Sequence, residues 1–571
     1  MVAPLREAVQ ACRRHVSAVA LFSAIINLLF IAPTLYMLQV YERVVPTQSH
    51  STLIFLTVVV LFSLAALSLL DQLRSRLLVR AGVQLDRELS PLILRAALRG
   101  NAAPEDRQAM RDFDSLRQLL SGPVFVALCD LPWTPIYVFA CFLVHPAIGG
   151  MALLGLVILP LLLWRHERVT REPTEIAQHA AARSYVAQDH MLADQEAVRA
   201  LGMTDAMIGR QIRFRTDLLT QQTRASFSGS RFAGYSRFAR LAIQSLALGI
   251  GALLAIHQQI SAGAIFASTF LISRALAPVE QLLGSWRGIA QAREGYRNVV
   301  RMLGGDAEGE ARTALPRPAG ALQVEQVTLV PKNGDRPILD RVSFTVRAGE
   351  ALAVVGPSGA GKTSLLRLIA GIGSPTEGQI RIDGADRADW DPDELARHIG
   401  YLPQDAALFV GTIKENICRF DSELDTDPRE VDAAVIEAAK LAGAHDFILR
   451  LPGGYDYVLA PRGANVSSGQ AQRIAMARAL YGNASMLLLD EPNSHLDTEG
   501  DASLLACLQR VKSRNVTVII VSHRLSVLPA VDSMLVLQDG KVHLIGPRDE
   551  VLPKITAPNV RQVHPQQASS S

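Results

Sequence analysis

Cysteine is scarce and scattered in this sequence. Cys12, Cys129, Cys141, Cys418 and Cys507 form no C-x-x-C pair and have no histidines at ligand spacing, which leaves no sign of a zinc site or disulfide framework. They read as buried single thiols. Charge is also in short supply: 19% of residues are charged, against roughly 25% in a typical soluble protein. The net charge of +3 is too small for a chain of 571 residues to point to nucleic acid as a partner. No small-residue cleavage site follows the first apolar run, and that run is too long for the core of a signal peptide. It reads as a membrane span.

The 49% hydrophobic content is concentrated in the first half of the chain. Six stretches there are long enough to cross about 30 Å of hydrocarbon as helices. They are Ser17–Val40, Leu53–Leu70, Val124–Leu143, Ile148–Trp164, Phe238–His257 and Ala262–Leu283. Arginines crowd the segments between spans two and three (Arg74 to Arg117) and between spans four and five (Arg165 to Arg237). The loop after span one carries only Arg43, and those at His145–Pro146 and His257–Gln259 carry no Lys or Arg. By the positive-inside tendency, both termini and the two long segments face the cytoplasm. Those segments have few glycines or prolines and read as helical extensions of the spans, turning near Asn101–Asp106 and Met203–Met207. Such turns are places where a motor could push. Asp130, Arg240, Arg274 and Glu280 lie in or near spans. For Asp130 and Glu280, lining a conduit and snorkelling to the interface both fit the sequence.

Residues 304–320 (GGDAEGEARTALPRPAG) mark a linker between a membrane domain, 1–303, and a soluble α/β domain, 321–555. The polar tail 556–571 reads as disordered. In the soluble part an apolar strand, Ala351–Val355, runs into Gly356-Pro357-Ser358-Gly359-Ala360-Gly361-Lys362-Thr363, and a helix opens at Ser364. Glycines let backbone N–H groups close on phosphate oxygens, and the helix N-terminus adds a favourable dipole. Lys362 is placed to reach the β- and γ-phosphates of ATP, and the Thr363 hydroxyl to ligate Mg²⁺. A second apolar strand, Met486–Leu489, ends in Asp490-Glu491. Asp490 suits the magnesium side and Glu491 the role of general base toward water.

Further motifs carry a resemblance. Val466-Ser467-Ser468-Gly469-Gln470 resembles the signature of ABC ATPases, Tyr401-Leu402-Pro403-Gln404 the Q-loop, Ser494-His495-Leu496-Asp497 the D-loop, and Ser522-His523-Arg524 the switch-histidine motif. They occur in the family's order. The resemblance implies that Gln404 senses the metal and that His523 contacts the γ-phosphate. It also implies that the signature meets nucleotide held by a second copy, hence a homodimer with both sites active. The sequence departs from the family in three places. Ser468 stands where glycine is usual, no aromatic lies near Val330 to stack on adenine, and Pro461 stands where glutamate is common. The last affects coupling. Near Val330, either base selectivity weakens or another residue stacks.

Thr34 to Pro46 and Asp490 to Asp497 resemble bacterial type I protein-secretion ATPases, particularly the protease-secretion branch. That implies a six-span α-helical exporter domain followed by an ABC-type P-loop NTPase domain, in the bacterial inner membrane and in contact with membrane lipid. It further implies a periplasmic adaptor protein, an outer-membrane channel and an unfolded secreted protein with a C-terminal signal as cargo. With so few residues before span one, and no catalytic histidine pattern matching Cys12, leader-peptide processing is not expected. The other classes are a lipid or drug exporter, which needs no adaptor, and an ATP-gated channel or regulator, against which Glu491 argues.

Overall fold

The computed structural model describes residues 3–99, 109–305, 315–331, 334, 336–424, 426–494, 496 and 498–556. The chain divides into two compact units, Met1–Glu308 and Gly309–Ser571.

The first unit is helical. Six helices are long and apolar enough to cross a membrane: Arg13–Thr47, His50–Leu98, Pro123–Val144, Pro146–Ala193, Thr204–Ile256 and Ala262–Gly284. The second, fourth and fifth far exceed a bilayer's need of about 20 residues, because their arginine-rich ends continue the same helices beyond the apolar stretch. The chain turns between the helices Gln195–Ala200 and Thr204–Ile256, with Gly202 at a positive φ of 63°. That turn is slightly earlier than the expected one, and the other expected turn, Asn101–Asp106, lies outside the described residues.

Two spans are broken by local chemistry. The first passes from Arg13–Leu29 to Ile31–Gln39 and then into a π-helical turn, Val40–Val44. The third carries a 3-10 turn at Leu131–Trp133, where Pro132 lacks the N–H an α-helix needs.

Ile148, Leu159, Ile243, Ala247, Ile272 and Leu276 form the core between spans four, five and six. The fit is close: a Cβ on Gly155 would lie 2.9 Å from a Leu276 methyl. A second cluster joins the N-terminal helix, through Leu5, Ala8 and Cys12, to Leu85, Leu89 and Ile93, with Phe113, Val299 and Leu303. Cys12, Cys141, Cys418 and Cys507 are buried and Cys129 half-buried.

Asp130, Arg240 and Glu280 are each paired across helices. Arg74 is buried and donates to Asp130 at 2.9 Å, to Ser23 at 3.0 Å and to Asp71 at 2.6 Å. Asn27 also donates to Asp130, at 2.9 Å, and Tyr137 donates to the Asn27 carbonyl at 2.8 Å. Spans one, two and three are thus tied by one polar network. Arg240 pairs with Glu280 at 3.1 Å, joining spans five and six.

The second unit is α/β. Its strands are β1 (Leu322–Leu329), β2 (Leu339–Val346), β3 (Ala351–Val355), β4 (Glu377–Ile382), β5 (Ala385–Asp386), β6 (Ile399–Leu402), β7 (Gly411–Thr412), β8 (Val458–Leu459), β9 (Met486–Asp490), β10 (Thr517–Val521), β11 (Ser533–Gln538) and β12 (Lys541–Pro547). One sheet runs β12-β11-β3-β10-β9-β6, parallel except for the edge strand β12. An antiparallel sheet runs β2-β1-β4-β5. β9 and β10 are buried along their whole length, as expected of parallel strands covered on both faces.

Candidate active site

Parallel register brings distant motifs to one edge. Asp490 ends β9 opposite Val521 of β10, which in turn pairs with Val354 of β3, while Leu402 of β6 pairs with Leu489. All four carboxyl ends therefore line up, and the loop after β3, Glu491, His523 and Gln404 emerge together. The carboxyl edge of a parallel sheet is where α/β folds bind ligands.

The loop after β3 is shaped by glycine. Gly356 has φ of 153°, and a Cβ there would lie 2.0 Å from the Leu537 carbonyl oxygen of β11. Gly361, at φ of 95°, precedes the helix Lys362–Ile369, and a Cβ on it would lie 2.8 Å from the Ile338 carbonyl oxygen. Gly356→Val is therefore expected to destabilise the protein by about 3 kcal/mol or more. Denaturant unfolding of the full chain in detergent checks this, and a loss below about 0.5 kcal/mol contradicts it.

Lys362 is buried and its Nζ donates to the carbonyl oxygens of Gly356 at 2.9 Å and Pro357 at 2.8 Å. Burial lowers its pKa, opposed by the negative charges of Glu491 and Asp490. The ammonium thus sits at the loop's centre, held by carbonyls that a phosphate can outcompete. Asp490 is fully buried, and neither carboxylate oxygen has a hydrogen-bond partner. Burial pushes its pKa up. The Thr363 hydroxyl is the main opposing influence, close enough to lower it but short of hydrogen-bond geometry. Two orphaned carboxylate oxygens beside a threonine hydroxyl are a donor set that fits a hard divalent cation such as Mg²⁺.

Glu491 has its backbone in the left-handed region, φ 49°, a strained conformation for a non-glycine residue. Its N–H donates to the Val521 carbonyl at 2.9 Å. Its carboxylate lies between two of the residues expected from the sequence: His523 Nε2 at 3.2 Å and Gln404 Nε2 at 3.4 Å. Gln472 holds it from behind, donating to the Glu491 carbonyl oxygen at 3.1 Å and to Ser494 Oγ at 3.4 Å. Gln472 is not among the site residues expected from the sequence. Its signal was a polar side chain on the buried face of a helix, among Ala471, Ile474 and Ala475. His495 and Asp497 lie outside the described residues.

The signature builds a separate feature. Ser467 caps the helix Ser468–Leu480 in a capping box: its Oγ accepts from Gln470 N at 3.3 Å, and Gln470 Oε1 accepts from Ser467 N at 3.0 Å. Ser468 takes the first helical position without a positive φ, so the side chain in place of the usual glycine costs no backbone strain. Among the described residues, no hydrogen bond links Ser467, Ser468, Gly469 or Gln470 to the loop 356–364.

Comparison with known proteins agrees with this arrangement. The ABC transporter family pattern matches residues 339–494. The chain is 40% identical over 565 residues to the type I secretion system ATP-binding protein PrsD of Rhizobium meliloti (strain 1021), covering 98% of this chain and 96% of that protein. This chain is an ABC transporter of the type I secretion ATP-binding group. The transporter is also 29% identical to the toxin RTX-III translocation ATP-binding protein of Actinobacillus pleuropneumoniae, over 93% of this chain and 75% of that one. It is 30% identical to the leukotoxin translocation ATP-binding protein LktB of Bibersteinia trehalosi, over 91% of this chain and 73% of that one. In fold it matches a bacterial Atm1-family ABC exporter with ATP bound, with a TM-score of 0.81, 23% identity, and 95% and 97% of the two chains covered. The transporter is a nucleotide-binding, multi-pass inner-membrane ATPase coupled to transport.

Proposed function

We propose that this chain is the motor and permease of a type I secretion system, moving unfolded proteins with C-terminal signals out of the bacterial cytoplasm. The observation that carries the reading is the 40% identity with a type I secretion ATP-binding protein along nearly the whole of both chains. The resemblance to the Atm1-family exporter bears on fold alone.

In this reading the loop 356–364 wraps the phosphates of ATP, with Gly356, Pro357, Ser358, Gly359, Ala360, Gly361 and Ser364 contributing backbone and Lys362 charge. Thr363 and Asp490, with Gln404 alongside, would hold Mg²⁺, which neutralises charge on the phosphates. Glu491 takes the proton of the attacking water. Its strained backbone and its contacts to His523 and Gln404 aim the carboxylate away from solvent-averaged positions. His523 follows the γ-phosphate. The helix capped by Ser467 and Gln470 offers the Ser467 hydroxyl and the N–H groups of Ser468 and Gly469 to the nucleotide of a second copy. A homodimer then has two complete sites. Closure of the two motor units drives the spans between two states. Both termini face the cytoplasm, and a periplasmic adaptor and an outer-membrane channel continue the path.

The ATPase rate of the lipid-embedded protein, titrated with C-terminal peptides of secreted proteins, tests this. A saturable change with peptide, absent for scrambled peptide, is the expected result. A response only to lipids or hydrophobic drugs would instead indicate a small-molecule exporter.

A further inference from the structure

Of the four ionisable residues that the sequence places in or near the spans, three are ion-paired and one is not. Asp130 is engaged by Arg74 and Asn27, and Arg240 and Glu280 hold each other. Arg274 forms no ion pair or hydrogen bond among the described residues, although it lies near the middle of span six, Ala262–Gly284. Its guanidinium instead rests on the Phe30 ring, 3.1 Å from the centroid, at the break between the two α-helical segments of span one.

Three physical points follow. An arginine in a span is costly unless it is paired or faces a water-filled path, and the acids nearest in the sequence pattern are already committed. Stacking on an aromatic ring satisfies one face of the guanidinium but none of its five edge N–H donors. Finally, span six is the most buried of the six, and Leu271, Ile272, Ala275 and Leu276 around Arg274 pack into the protein core. The contact with Phe30 of span one turns the side chain toward the helix bundle, and no nitrogen of Arg274 is both sealed from solvent and unpartnered. A planar cation with free donors at such a place is matched by a carboxylate, which accepts two parallel N–H bonds from arginine.

Resting on the protein-secretion reading above, we propose that Arg274, seated on Phe30, is a transient carboxylate-binding site for the polypeptide in transit. Acidic side chains or the terminal carboxylate would supply the anion. The site differs from the Arg74–Asp130 pair in having no directly bonded carboxylate among the described residues, so each carboxylate can bind and leave, which passage of a chain requires.

The test uses full-length protein in proteoliposomes, as wild type, Arg274→Gln and Arg274→Lys. Three peptides share one C-terminal signal segment: an acidic form, a form with Asp and Glu replaced by Asn and Gln, and an acidic form with an amidated C-terminus. The readout is the peptide concentration that half-maximally changes the ATPase rate, taken as a ratio between peptides within each variant, so that differing active fractions cancel. In wild type, losing the relevant carboxylate raises that concentration about tenfold. Which modified peptide shows the rise identifies side-chain or terminal carboxylate. In Arg274→Gln the ratio falls to within about twofold, and Arg274→Lys keeps an intermediate ratio because it retains the charge but loses the planar fork. An unchanged ratio in Arg274→Gln, or a wild type indifferent to both modifications, overturns the proposal while leaving the secretion reading in place. A wild type that responds to none of the peptides overturns the secretion reading, and this proposal with it.

Discussion

Glu491→Gln lowers steady-state ATP hydrolysis by about 10²- to 10⁴-fold, the usual contribution of a positioned general base, while ATP still binds. The substitution keeps the side chain's size and leaves the backbone contacts from Gln472 and to Val521 undisturbed, because both involve main-chain atoms of residue 491. What is lost is the carboxylate that His523 and Gln404 bracket at 3.2 and 3.4 Å. Glutamine presents one neutral oxygen there, and it cannot take a proton from water at neutral pH. Turnover by the purified protein and equilibrium binding of a fluorescent ATP analogue separate the two effects. Hydrolysis within about threefold of wild type would remove Glu491 from the role of base. Loss of binding would mean that the residue shapes the nucleotide pocket instead.

Arg74→Ala destabilises the membrane unit by about 3–5 kcal/mol, the cost of stranding one partner of a buried ion pair. Arg74 is 5% exposed and contacts Ser23, Asp71 and Asp130, so its removal leaves Asp130 with Asn27 as its remaining donor. Replacing both partners, as Arg74→Leu with Asp130→Leu, should recover most of the loss, because two apolar side chains need no compensation. The measurement is the midpoint of thermal unfolding in detergent for both single variants and the double. Additive losses in the double would contradict a direct pairing. The Arg240–Glu280 pair is more open, with side chains 30% and 31% exposed, and its removal is expected to cost about 1 kcal/mol at most.

Hydropathy placed the six spans because a bilayer demands length and apolarity from consecutive residues, a requirement written locally along the chain. Their helical extensions were legible for a similar reason, in the scarcity of glycine and proline. The breaks were less so. Pro132 lies in the 3-10 turn of span three and Pro33, with no N–H for the Leu29 carbonyl, follows the break at Phe30, but Pro91, Pro160, Pro173 and Pro278 lie inside continuous helices. Intramembrane charges had two readings each. Neither reading named the partner that resolves Asp130 and Glu280, since Arg74 and Arg240 lie on other helices at no characteristic spacing.

The active site divides the same way. Its phosphate loop is a local motif, eight consecutive residues between a strand and a helix, and its chemistry follows from those residues alone. Gln404, Glu491 and His523 belong to separate motifs, and only the parallel pairing of β6, β9, β10 and β3 brings them to one edge. The left-handed backbone of Glu491, the support from Gln472 and the unpartnered oxygens of Asp490 likewise depend on packing. By itself the sequence determined which elements form and which chemistry they carry, because hydropathy, helix-breaking residues and phosphate-binding motifs act over neighbouring residues. The tertiary structure decided which side chains meet, which charges are paired within the bundle and which, Arg274, rests on an aromatic ring with no ion-pair or hydrogen-bond partner among the described residues. Those outcomes depend on strand register and helix packing between residues far apart in the chain, where no local spacing records the contact.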